Sequence, residues 1–176
     1  MKIRLIVAAS LVSALALRVD ANAGERPQMA NPSIDMAGHL RVSDEAARHR
    51  QTHRVSEAEF IRMSRQPGTV VLDARSREKY DELHVKGAIN LSFPDISFET
   101  LNKVLPDKKT RILIYCNNNF RGGVPAFPTK MASAALNLST FTTLYDYGYR
   151  EVYELAPLLD VETSKLEFEG RARAAR

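Results

Sequence analysis

Apolar, mostly β-branched residues recur in short unbroken runs at Thr69 to Asp73, Ala88 to Leu91, Arg111 to Tyr115 and Glu151 to Leu155. Runs of this length are too short for helices and suit strands buried on both faces of a parallel sheet. Between them the period changes. Ser56-Glu57-Ala58-Glu59 has the capping-box form ahead of Phe60, Ile61 and Met63, and Ser43-Asp44-Glu45 predicts an earlier short helix. Ser76 to Val85 carries Tyr80, Leu83 and Val85 on one side of a short helix that Gly87 ends. Ser97 to Leu105 presents Phe98, Leu101 and Val104 before Pro106. Met131 to Tyr147 is apolar on more than one side and predicts a mostly buried helix ending at Gly148. Strands alternating with helices define an α/β fold, a doubly wound parallel sheet flanked by helices, whose sites lie at the carboxyl ends of the strands.

The first residues do not belong to that pattern. Lys2 and Arg4 precede the charge-free run Leu5 to Leu17, and Ala21-Asn22-Ala23 offers the small-x-small motif of a signal peptidase. The run is short for a membrane span. Residues 1–23 are therefore expected to be a cleaved signal peptide, giving a periplasmic or secreted chain that begins near Gly24 and has no stable membrane insertion. An N-terminal extension with a short helix is expected over 24–54, the domain over 55–165, and a basic, solvated tail over 166–176. The remainder is one domain in size. The net charge of +4 is too small to point to nucleic acid, and two of those charges belong to the signal.

Cysteine usage narrows the chemistry. An exported chain ordinarily pairs its cysteines, yet Cys116 is alone among 176 residues. It follows directly on Ile112 to Tyr115, at a strand's carboxyl end. The loop Cys116-Asn117-Asn118-Asn119-Phe120-Arg121-Gly122-Gly123 holds residues tolerant of left-handed backbone and one fixed cation. Its amides are expected to curl inward around the sulfur, with Arg121 beside it, and so to favour the thiolate. Other chemistry-bearing residues read as structural. Asp73, Arg75 and Glu78 are expected to form a hydrogen-bonded scaffold, and His84 to anchor a turn. His49 and His53 lie four apart without a third ligand nearby, the pattern of a solvated helix face.

Three segments resemble the rhodanese-like domains. Val71-Leu72-Asp73-Ala74-Arg75-Ser76-Arg77-Glu78-Lys79-Tyr80 is similar to that family's Asp-x-Arg and Glu-x-Tyr signature. His84-Val85-Lys86-Gly87-Ala88-Ile89-Asn90 resembles its His-x-x-Gly-Ala-x-Asn turn, and Gly148-Tyr149-Arg150-Glu151-Val152-Tyr153-Glu154-Leu155 resembles the stretch before its final helix. The resemblance covers roughly Val55 to Leu155. It implies a sulfurtransferase in which Cys116 attacks a sulfane donor such as thiosulfate and carries the sulfur as a persulfide to a nucleophilic acceptor. It further implies Cys116 and Arg121 as catalytic residues, substrate contacts at Asn117, Asn118, Asn119, Phe120 and Gly122, and neither cofactor nor metal. The partners implied are a small sulfur-donor anion, a thiol or cyanide-like acceptor, and a protein as another acceptor.

Departures from the family pattern qualify this. Asn117 stands where the family often has Arg, and Asn119 where it often has Gly, a site Asn can fill through the left-handed region. Gly122 to Pro128 lengthens the path to Gly148 and reads equally as a lid or as a structural detour. Two other functions stay open. One is a catalytically silent binding module acting through Val124 to Phe127. The other is a cysteine-dependent phosphatase, whose loop is one residue longer than the six positions Cys116 to Arg121.

Overall fold

Strand formation begins where β-branched and aliphatic residues exclude water from both faces of an extended chain. In the computed structural model, which describes residues 31–122 and 125–174, three such segments form the centre of a parallel sheet completed by two shorter, less buried strands, five in all. They are β1 (Arg54–Val55), β2 (Thr69–Asp73), β4 (Ile89–Asn90), β5 (Arg111–Tyr115) and β7 (Val152–Leu155), in spatial order β1-β7-β5-β2-β4. Register is continuous at the centre: Leu72 pairs with Ile114, Asp73 with Tyr115, and Ile114 with Glu154. The expected signal peptide, Gly123, Val124 and Arg176 lie outside the described residues. Asp35–Arg176 forms one compact unit, and of the unit before it only the turn at 31–34 is described.

Alternation along the strands produces two cores. Leu72, Ile112, Ile114 and Val152 face helices α1 (Met36–Arg50), α4 (Phe98–Val104) and α5 (Leu136–Asp146), meeting Ala46, Leu101, Phe141 and Leu144. Val71, Leu113, Tyr115 and Leu155 face the other way, toward Phe60 and Met63 of α2 (Glu57–Ser64). The doubly wound arrangement follows from that two-sided burial. No helix among the described residues is long and apolar enough to cross a membrane.

Several elements differ from the sequence expectation for physical reasons. α1 begins at Met36 instead of near Ser43, because the Asp35 carboxylate accepts the Gly38 amide at 2.8 Å as an N-cap. The helix expected through Val85 stops earlier as α3 (Arg77–Glu82). His84–Val85 then forms β3, which pairs with β9 (Phe168–Glu169). The tail therefore docks instead of fraying, ending in α6 (Arg171–Ala174), and at Gly170 a side chain would meet the Glu82 carbonyl at 2.7 Å. Residues 131–147 divide into a short turn at Ala132–Ala134 and α5. Phe98, expected on the buried face of α4, is 71% exposed, while Leu101 carries the contact.

The Asp73, Arg75 and Glu78 cluster resolves into a scaffold built on the first two. Arg75 forks onto both oxygens of Asp73, and its remaining donors meet the Leu83 and Ala126 carbonyls at 2.8 Å. The Tyr115 hydroxyl donates to the same carboxylate and accepts the Val85 amide at 3.1 Å. Burial is the main influence pushing the Tyr115 hydroxyl well above a free tyrosine's range. Glu78 instead faces Lys79 at the surface. Because Arg75 and Asp73 are sealed from water, Arg75→Met leaves a buried carboxylate without its counter-ion. It is expected to cost about 3–5 kcal/mol, read from the urea unfolding midpoint.

Candidate active site

At the end of β5 the chain stays extended for one more residue, Cys116, at φ −145° and ψ −175°. A single 3₁₀ turn over Asn117–Asn119 follows, and then β6 (Phe120–Arg121) runs out beside β8 (Leu159–Asp160). No described residue other than glycine has positive φ, so Asn119 does not supply the left-handed curl expected of it. Its contribution is the side chain. Asn119 Oδ1 accepts the Cys116 amide at 2.8 Å and the Asn137 Nδ2 at 3.0 Å, while Asn119 Nδ2 donates to the Leu155 carbonyl at 2.7 Å. One amide thus ties together the ends of β5 and β7 and the first turn of α5.

Cys116 is only 1% exposed, and the groups aimed at its sulfur come chiefly from α5. Ala135, at the N-cap of α5, has no side-chain acceptor for the helix's first amides. The amides of Leu136 and Asn137 meet the thiol instead, joined by that of Asn118. Elsewhere in the loop the amides are occupied: Asn119 donates to the Cys116 carbonyl at 3.1 Å, and Phe120 to the Asn117 carbonyl. The ring expected from residues 117 to 121 is therefore replaced by a helix N-terminus plus one turn amide. Burial pushes the thiol above the ordinary cysteine range, the three amides pull it back, and the Glu154 carboxylate pushes it further up. The expectation of a lowered pKa is overturned because desolvation is the largest influence.

The other expected site residues separate into two groups. Asn117 is buried and lines a cavity of about 400 Å³ together with Ala74, Phe93, Pro128, Lys130 and Leu136. Asn118 exchanges two hydrogen bonds with the Lys130 backbone, at 2.8 and 3.1 Å, holding that segment over the turn. Phe120 points into the opposite core against Phe127 and Phe168. Arg121 is not brought to the thiol. Its side chain is 69% exposed and faces Asp160 at 3.5 Å, as the outward position on a two-residue strand requires. Gly122, at φ +80°, lies against the same Asp160. In the 122–128 segment Ala126 and Phe127 are buried, with Arg75 4.3 Å above the Phe127 ring, so this part is a core plug and not a lid.

Sequence reasoning missed Leu136, Asn137 and Glu154. The sign that could have exposed the first two is a buried helix whose start, Ala134-Ala135-Leu136-Asn137, contains no capping side chain. Polar capacity is left over here: Asn117 Oδ1, Asn137 Oδ1 and Thr140 Oγ1 are buried without a partner among the described residues. Such groups ordinarily cost about 1–3 kcal/mol each, and of the three Asn117 lines the cavity, where its free oxygen could meet a polar guest. His49 and His53, expected on a solvated face, stack on each other at 3.9 Å, lie against Tyr145 and Tyr153, and bind backbone carbonyls.

A doubly wound parallel sheet with its cysteine at a strand's carboxyl end, the sulfur against a helix N-terminus, defines an α/β protein with a buried strand-end cysteine. The rhodanese-like domain family model matches residues 56–156, and the chain belongs to that family. Over 52 residues it is 35% identical to the thiosulfate sulfurtransferase PspE of Escherichia coli (strain K12). That stretch is 30% of this chain and 49% of PspE, so the match spans about half of the relative. Among solved structures, the BH2092 protein from Bacillus halodurans is similar at 25% identity and TM-score 0.49, over 73% of this chain and 87% of that one. The rhodanese-like domain of the Alr3790 protein from Anabaena sp. aligns at 22% identity and TM-score 0.49, over 70% and 83%.

The raised thiol has a thermodynamic consequence. Folding holds this proton more tightly, so as pH climbs the unfolded chain releases it first, from about pH 8.5. The contribution to stability is complete below that pH and is lost as pH rises toward the folded value. Urea titrations at about pH 7 and pH 10 are expected to show wild type losing more stability than Cys116→Ala. Equal losses contradict the raised value.

Proposed function

We propose that the protein is a sulfurtransferase in which Cys116 carries sulfane sulfur, taken from a small anionic donor such as thiosulfate and passed to a thiol, cyanide-like or protein acceptor outside the cytoplasm. The observation that supports this most is the sulfur placed against the unclaimed amides of Leu136, Asn137 and Asn118. These donors favour an anion on sulfur. In the reaction, the Cys116 thiolate attacks the outer sulfur of thiosulfate. The new S–S bond forms as the sulfur–sulfur bond of the donor breaks, and sulfite leaves with the electron pair. The persulfide anion then stands where the amides and the Asn117 side chain meet the cavity, and an acceptor nucleophile removes its terminal sulfur to regenerate the thiolate.

Deep burial of the sulfur gives the silent binding module an observation of its own, and the same experiment separates the two. Purified protein incubated with thiosulfate is expected to gain the mass of one sulfur, lost on adding cyanide and absent in Cys116→Ser. No adduct from any sulfane donor would leave the binding reading in its place. Arg121→Ala tests the role that the family resemblance gives to that side chain. Given its exposed pairing with Asp160, kcat/KM for thiosulfate is expected to fall by less than about fivefold, the equivalent of under about 1 kcal/mol. A loss of about a hundredfold or more would mean that it stabilises the departing sulfite.

A further inference from the structure

Behind the thiol, on the same side of the sheet, sits a carboxylate that the transfer chemistry does not use. Val152 and Glu154 alternate on the face shared with Ile112 and Ile114, and Ile114 is the register partner of Glu154. Since the backbone remains extended through Cys116, the next side chain on that face after Ile114 is the nucleophile itself. Glu154 is buried, and a negative charge there opposes the formation of thiolate. What meets that charge is Arg50, the last residue of α1, which forks onto both carboxylate oxygens, Nη2 lying 2.7 Å from Oε1. α1 precedes the residues matched by the family, 56–156, so the cation comes from outside the shared domain.

We infer that α1 completes the sulfur site, with Arg50 as a positioning residue that pins and neutralises the Glu154 carboxylate behind Cys116, an inference resting on the sulfur-transfer reading. The neighbouring charged groups do not substitute for it. Arg54 on β1 is in register with Glu154, but its guanidinium reaches the Ala156 carbonyl at 3.4 Å. His49 and His53 stack on each other and bind backbone carbonyls. α5 brings Asn137 and Thr140, both neutral, and Asp146, which shares a groove with Arg50 and is itself acidic. A fork of two hydrogen bonds fixes the carboxylate as a compact lysine would not, so charge and geometry are both needed.

The experiment measures the iodoacetamide alkylation rate of Cys116 against pH in the full chain, a readout independent of sulfur transfer. Arg50→Gln is expected to move the inflection to higher pH and slow alkylation about tenfold at neutral pH. Glu154→Gln is expected to move it to lower pH, the double variant to return toward Glu154→Gln, and Arg50→Lys to recover part of the loss. Circular dichroism and the unfolding midpoint show which variants are folded, and a folded Arg50→Gln with an unchanged profile overturns the inference. So does a shift in the same direction for both single variants. If instead wild type forms no persulfide while the two profiles diverge as stated, the transfer reading fails and the electrostatic coupling stands.

Discussion

Everything at the site depends on two backbone amides that α5 cannot satisfy within itself. A helix leaves its first N–H groups without intrahelical acceptors, and ordinarily a Ser, Thr, Asp or Asn at the N-cap takes one of them. Here the N-cap is Ala135, and the acceptor is the sulfur of Cys116, carried in from the neighbouring strand. The helix start and the thiol therefore complete each other. A neutral thiol satisfies these amides weakly, whereas a thiolate or persulfide anion satisfies them fully and lies at the positive end of the helix dipole. Burial opposes that anion in the resting protein. Burial holds the thiol's proton more tightly than in a free cysteine, while in the sulfur-transfer reading the amides stabilise charge as it develops on sulfur.

The rest of the fold holds that contact in register. Asn119 binds the β5 end, the α5 start and the β7 end through one side-chain amide. On the far side of the sheet, Asp73, Arg75 and Tyr115 lock the carboxyl ends of β2 and β5 and latch the carbonyls of Leu83 and Ala126. A buried polar network with its partners satisfied resists small displacements, and a shift of one ångström between β5 and α5 would move the amides off the thiol.

Four of the sheet's five strands were legible in the sequence as short apolar runs, which buried parallel strands have few other ways to read, whereas β1, two residues opening on the exposed Arg54, carried no such signal. The capped helices at Ser56 and Ser97 were legible for the same local reason, each carrying its own stop and start chemistry. The site was legible only as far as it is local. Cys116 could be placed at a strand end, but the partners of its sulfur lie about twenty residues onward in a helix whose start bears no capping signal. The expected loop cradle assumed that Asn and Gly would bend the backbone. The Asn residues instead act through their side chains in an ordinary right-handed turn, and Arg121 follows β6 outward. Arg50 and Glu154, far apart in sequence, become neighbours only through the packing of α1 on α5, which brings the end of α1 to Glu154.

The most direct measurement of the amide–sulfur contact is the pH profile of Cys116 alkylation in Leu136→Pro. Proline suits the first position of a helix, and Ala135, at φ −61° and ψ 128°, already has the backbone that a following proline requires. The substitution removes one of the amides at the sulfur and leaves the helix in place. With the circular dichroism of the folded protein retained, the inflection is predicted to move to higher pH and the yield of thiosulfate-derived persulfide to fall. An inflection unchanged from wild type in a folded Leu136→Pro protein would contradict the account.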